Sequence, residues 1–225
     1  LTLAADGDAW AGVLHWGLPD YAGANLPGAN VLTVPLLADS MVGGGTDCGA
    51  PDDPAYFPTW GGRNWGSSPY ANVQNQWDTA DWPCYSRYYA QWSLGSLPAG
   101  AQVVSATVEM RQFGNAGYNP GYNPDGSINT NGGTGITVAQ VYEVAAGWQE
   151  SAIGWDSAPR LGENVGRTTV YPLPGDCGPT PYWYCRPGIA YGFDVTEIVR
   201  RALARGDGTA SMALYTAAGQ YHSGK

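Results

Sequence analysis

Two tryptophans and two carboxylates stand together in "GWQESAIGWDSAP": Trp148 and Glu150, then Trp155 and Asp156. Cleaving a glycosidic bond needs two carboxyl groups facing each other, and rings nearby to hold the sugar. Glu143 in the alternating stretch before them and Glu163 after them complete the set of candidate acids. The same residues also describe a sandwich corner, where acids cap turns and accept from indole N–H groups. No GxSxG, HExxH, P-loop or GxGxxG accompanies them. A Ser-His-Asp triad would have to use His15 or His222, both near the chain ends. The expectation is a chain that is not an enzyme. Trp148 and Trp155 plug the fold, and Glu150 and Asp156 hold the turn between strands.

Sugar binding without cleavage needs flat aromatic faces beside hydrogen-bonding side chains. Trp60, Trp65, Trp77, Trp82 and Trp183 are the candidate carbohydrate contacts, in or beside loops, with Tyr182, Tyr184, Asn64, Asn75, Gln76 and Asp78 close in sequence. Burial of these rings at the sandwich ends or at subunit contacts is the competing reading. Calcium is the one ion the loops suit. Asp6 and Asp8, and Asp47, Asp52 and Asp53, with "DTAD" and "NPDGS" further on, supply the oxygen ligands a hard cation takes. None has EF-hand spacing, and Asp as a plain turn former accounts for the same residues. No cofactor is required.

Bulk properties narrow the class. The chain has 225 residues, is 44% hydrophobic and only 13% charged, with 33 glycines and 17 prolines. That leaves enough apolar mass for a sizeable core and many turns. With 15 tyrosines and 10 tryptophans, much of the surface must be amide, hydroxyl and phenol, which suits close packing, adhesion or sugar contact. A net charge of −9 and a single lysine, Lys225, argue against nucleic acid, whose phosphates need clustered cations. The four cysteines, Cys48, Cys84, Cys177 and Cys185, form no CxxC, and two histidines are too few for the usual zinc sites. Two disulfides in an oxidising compartment are expected, extracellular or at the cell surface. Cys177 and Cys185 bracket a short loop and pair locally, leaving Cys48 with Cys84. No stretch is apolar enough to span a membrane, and no basic segment followed by an apolar one opens the chain.

These residues must be positioned by strands. Period-2 alternation bounded by turn residues marks 30–37, 70–77, 86–94, 102–113, 135–144 and 211–217. Along "ATVEMRQF", Val108, Met110 and Gln112 fall on one face and Thr107, Glu109 and Arg111 on the other. One helix is expected over about 194–205, with Asp194 as its cap, Glu197 three residues on as in a capping box, basic residues near its end and Gly206 terminating it. Residues 43–69 and 114–135 are long loops. The fold class is all-β: an antiparallel, jelly-roll-like β-sandwich with one short helix and long loops.

The order of four elements resembles DNRLRE-type domains: "ADSMV" with "NWGSSPYANVQ", "SRYYAQWSLGSLPAGAQVVSATVEMRQF", "VAQVYEVAAGWQESAIGWDSAP" and "YGFDVTEIVRRALARGDGTASMALY". The resemblance covers about residues 35–225. It implies a jelly-roll-like sandwich on secreted or surface proteins of bacteria and archaea, some of them carbohydrate-binding modules. Two departures stand out. The loops at 43–69 and 114–135 are long insertions, and "YHSGK" comes where a relative would go on to its last strands.

Those strands are matched at the other end. "LTLAADGDAWAGVLHW" can be laid on "MALYTAAGQYHSGK", an offset of 211 residues that carries Leu1 onto Met212 and Leu3 onto Leu214. The stretch with Val31, Leu32 and Val34 then reads as a closing strand. Residues 1–34 are therefore expected to complete a preceding or neighbouring domain, or the same domain in permuted order. Residues 35–225 form the main sandwich, lacking its own last strands. A tandem array, strand donation between copies, or closure in cis would each satisfy the exposed edge. The reading is a structural or adhesive module whose partners are copies of itself in a fibre or array. A polysaccharide is the other partner this sequence suits.

Overall fold

The computed structural model describes residues 2–3, 10–16, 30–44, 57–69, 71–75, 85–112, 137–170, 189–216 and 223–224. Among them the chain is mostly β, in antiparallel sheets, with one helix of appreciable length.

The strand β3, Asn30–Gly43, belongs to both sheets. Its first part pairs with β2, Trp10–Trp16, from Asn30 opposite Trp16 to Pro35 opposite Ala11. From Leu36 onward it pairs with β5, Ser86–Ser93, ending with Gly43 opposite Ser86. The register shifts between Leu36 and Ala38, which leaves Leu37 in a bulge, 53% exposed. Bulges bend a strand, and here one falls where β3 changes sheets. The expected boundary between 34 and 35 lies inside this continuous strand, beside the change of partner.

In the first sheet, β2 lies between β3 and β6, Val103–Gln112, and β6 pairs in turn with β9, Ile189–Asp194. The short β1, Thr2–Leu3, touches β2 and β6. In the second sheet the order is β8 (Asn164–Val170), β7 (Thr137–Glu143), β10 (Thr209–Thr216), β5 and the end of β3. β4, Gln74–Asn75, pairs with β5 and with β11, Ser223–Gly224. Residues Val34, Tyr88, Trp92, Val108, Phe193 and Leu214 fill the space between the sheets. Along β6, Val108 and Gln112 are buried and Met110 is half-buried against the core, while Thr107, Glu109 and Arg111 on the other face are half-buried too. The expected strand at 70–77 is realised at Gln74–Asn75 only, among its described residues. β8 and β9 were not expected. "NVGRTTV" is an edge strand with little apolar content, and "IAYGFD" reads as a run-in to the helix.

The helix is α2, Thr196–Arg205. It buries Ile198, Val199 and Ala202, and Gly206 closes it in the left-handed conformation, its N–H reaching the carbonyls of Ala202 and Leu203. The start differs from the expected capping box. Asp194 Oδ1 does accept from Thr196 N at 2.8 Å, but Val195 is the capping residue. Glu197 accepts from Arg200 at 3.0 Å instead of reaching back to Asp194. Arg200 also donates to the Val103 and Val104 carbonyls, tying α2 to β6. Arg201 and Arg205 both bind Glu143, and Arg201 binds Glu163 at 2.6 Å. Two of the candidate acids are thus engaged in pinning the helix.

Candidate functional site

The outer face of the second sheet carries the tryptophan-acid element. β5 and β10 turn Tyr89 and Ala213 to this side, and β3 adds Val42; with Val144 and Ile153 these form a second apolar cluster. Two turns cover it. The segment 57–69 begins with the one-turn helix α1, Phe57–Trp60, and the other cover is the stretch 144–162 that follows β7.

The covers interlock through glycine and amide. Asp156 N donates to Gly61 O at 3.0 Å, and the Gly61 Cα lies so close to the Asp156 carboxyl that a Cβ there would overlap it. Gly66 lies as tightly against Glu150. Asn64 Nδ2 donates to two carbonyls of the second turn, Glu150 O at 2.6 Å and Ile153 O at 2.8 Å. Two carbonyls with no strand partner are satisfied by one side chain, as buried or half-buried backbone requires.

The rings pack beneath. Trp60 and Trp155 have centroids 5.0 Å apart, and Trp60 is 3% exposed. The Arg87 guanidinium lies 4.3 Å over the Trp155 ring and 4.8 Å over Tyr215, a cation held between two π faces. Trp148 meets Tyr89 edge to face and donates its indole N–H to Ser211 Oγ at 3.0 Å. Gln91 is bonded at both ends, to Trp148 O and from Gly147 N. Trp65 is half-buried, and its indole N–H donates to Gly43 O at 2.9 Å.

The acids take holding positions. Glu150 Oε2 accepts from Asp39 N at 3.2 Å, on the outer edge of β3. Tyr88, fully buried between the sheets, donates its phenol to Asp39 Oδ2 at 3.0 Å. Burial pushes the Asp39 carboxyl up to about 6; the Tyr88 bond works against the rise and the nearby Glu150 charge adds to it. Burial, then the Asp39 charge, pushes the Tyr88 phenol well above its ordinary value.

Sequence reasoning singled out Glu150, Asp156, Trp148 and Trp155, and all four lie in this cover. Of the candidate sugar contacts, the covers contain Trp60 and Trp65. Trp60 presents no free ring face; Trp77, Trp82 and Trp183 lie outside the described residues. So do Cys48, Cys84, Cys177 and Cys185, the aspartates Asp6, Asp8, Asp47, Asp52 and Asp53, and Leu1. Leu3 and Val31 are in strands, in β1 and β3. Leu32 and Val34, like Met212 and Leu214, belong to the main core. The stretches aligned by the 211-residue offset occupy different places, β1 in the first sheet and β10 in the second. Among the described residues, no three His, Cys, Asp or Glu side chains are grouped to hold a metal ion, and no helix is long and apolar enough to cross a membrane.

Asp39, Tyr88 and Arg87 were missed as site residues. Asp39 and Arg87 are each the only charged residue of their strand, which was the available signal. No protein-family model matches this chain, and no curated protein matches it either.

Proposed function

We propose that this is a non-catalytic extracellular module with a structural or adhesive role, assembled with like domains into a surface fibre or tandem array. One observation carries the reading. β2 lies inside the first sheet, with six register pairs to β3 and four to β6, all through backbone. A slot lined by backbone on both sides takes the same strand from its own chain or from another copy with the same ladder, so exchange changes few contacts. The low charge, the phenol- and amide-rich composition and the resemblance to DNRLRE-type modules support the same reading. So does the expectation of two disulfides.

The test uses His15 and Ser105, register partners across β2 and β6. Chains carrying His15→Cys are mixed with chains carrying Ser105→Cys during refolding, and cross-links are mapped without reduction. Strand exchange yields a disulfide between the two kinds of chain. Cross-linking only within single chains that carry both substitutions would rule exchange out. Electron microscopy of the secreted protein then reads the fibre or array directly.

A carbohydrate-binding module is the second reading, and one observation favours it. On the outer face of the second sheet, Tyr215, Gln140 and Arg167 are register partners across β10, β7 and β8, with Tyr142 one pair along. Gln140 accepts from the Tyr142 phenol at 2.6 Å, and Arg87 links Tyr215 to Trp155. Rings, an amide and a guanidinium match the faces and hydroxyls of a sugar. A glycan array gives hits that Tyr142→Ala abolishes if this reading holds, and none if it does not.

A further inference from the structure

One row of side chains crosses the outer face of the second sheet. Arg87 on β5 is two residues from Tyr89, and Tyr215 on β10 is two residues from Ala213, so both take that face. The Arg87 guanidinium lies 4.8 Å over the Tyr215 ring. Tyr215 is the register partner of Gln140 on β7, and Gln140 that of Arg167 on β8. Arg167 is exposed, and Gln140 is half-buried.

The row is charged one way. Among the described residues, Arg200, Arg201 and Arg205 are each paired with a carboxylate, and Arg87 and Arg167 are not. The next outward row, Tyr89, Ala213 and Tyr142, holds no acid. Arg87 is half-buried, and charges taken out of water are ordinarily paired. The chain as a whole carries −9. Cations left without a carboxylate in so acidic a chain suit an anion from outside.

The open hydrogen-bonding groups at the far end of the row are donors. The Tyr142 phenol gives its proton to Gln140 Oε1 at 2.6 Å. That occupies the amide's acceptor and leaves its Nε2 hydrogens to be given. A guanidinium has donors only. A sugar hydroxyl both gives and accepts, so these groups meet only half of it, whereas an oxyanion accepts throughout. A carboxylate has two coplanar oxygens, which one guanidinium fork fills. A sulfate ester has three free oxygens, set tetrahedrally. Two take the Arg167 fork and the third takes the Gln140 amide on the neighbouring strand.

We propose that this row binds a sulfated polysaccharide, with a sulfate ester on Gln140 and Arg167, a sugar ring against Tyr142, and Arg87 adding its charge from across Tyr215. The inference rests on the carbohydrate reading and names its ligand class.

The test is calorimetric titration of the full chain, at low salt, with a sulfated galactan, the same polymer after desulfation, and a polyuronate. The sulfated polymer is expected to bind, and the other two about tenfold more weakly or worse. Gln140→Glu keeps the acceptor for Tyr142 and replaces the donors by a second oxygen. It weakens the sulfated polymer about tenfold, and so does Arg167→Ala, at an exposed position where truncation leaves the fold intact. Equal binding with and without sulfate, lost in Tyr142→Ala, would overturn the sulfate and leave the carbohydrate reading standing. A polyuronate that binds as tightly as the sulfated polymer overturns it in the same way. Binding of the sulfated polymer that survives both Gln140→Glu and Arg167→Ala lies elsewhere on the surface and sinks the row. Binding of no polysaccharide at all sinks the inference together with the reading beneath it.

Discussion

The second sheet carries an apolar cluster on each face, and the two are built differently. The inner cluster is filled by regular elements: Tyr88, Trp92, Ala210 and Leu214 from this sheet, Val108 and Phe193 from the other, Ile198 and Val199 from α2. Its stabilisation scales with area removed from water and has no direction. The outer cluster gets Val42, Tyr89 and Ala213 from strands, but its roof is two turns. That roof stays in place through single directional bonds, Asn64 to two carbonyls and Trp148 to Ser211, and through glycines that let backbone touch side chain. The inner core loses stability in proportion to the apolar volume removed from it, whereas the roof loses it when one directional bond or one close backbone approach is broken.

The largest expected effect breaks the inner cluster. Leu214→Ala, at a residue 2% exposed, destabilises by about 3 kcal/mol in urea unfolding. Gly154→Val comes next, because a Cβ there crowds the backbone of the other turn at the Gly61 and Arg63 carbonyl oxygens, which cannot swing away. It costs about 2 kcal/mol, and tryptophan fluorescence of the roof shifts while the far-UV spectrum stays that of the wild type. A roof that absorbed the side chain with no spectral change would erase the distinction between the clusters.

Asp39 sharpens it with the opposite sign. Its folded value of about 6 is above the ordinary 3.8, so the folded state favours the protonated form. This contribution to stability is full below pH 4 and is lost as pH rises through 6. Asp39→Asn keeps an acceptor for the Tyr88 phenol. Discounted for partial exposure, it gains about 1.5 kcal/mol at pH 7 and nothing at pH 4. Equal gains at both pH values would assign the effect to something other than ionisation. Smallest of all is Leu37→Ser, at the exposed bulge, within about 0.5 kcal/mol in the same urea assay.

The strands β5, β6, β7 and β10 were legible because alternation is a local signal, and α2 because its stripe and its glycine stop are local too. β8 was not, since an edge strand needs few apolar residues and leaves a weak period; β9 alternates Ile189, Tyr191 and Phe193, but its six residues run straight into the helix signal and were absorbed by it. In the site, the tryptophan-acid spacing was visible, but its partner was not. "TWGGRNWG" reads as a loop with candidate sugar rings until it is found holding Glu150 and Ile153 from 86 and 89 residues away.

What this chain's sequence determines by itself is its all-β class, the helix near its end, and which strand faces are apolar, because these follow from spacing between near neighbours. The tertiary structure decided what the acids and rings do. Asp39 and Glu150 are 111 residues apart and meet only because β3 crosses between the sheets and a turn folds over its edge. Trp60 is spent on Trp155 for the same reason. A side chain's chemistry depends on its solvent and its neighbours, and both are set by contacts that no local pattern encodes.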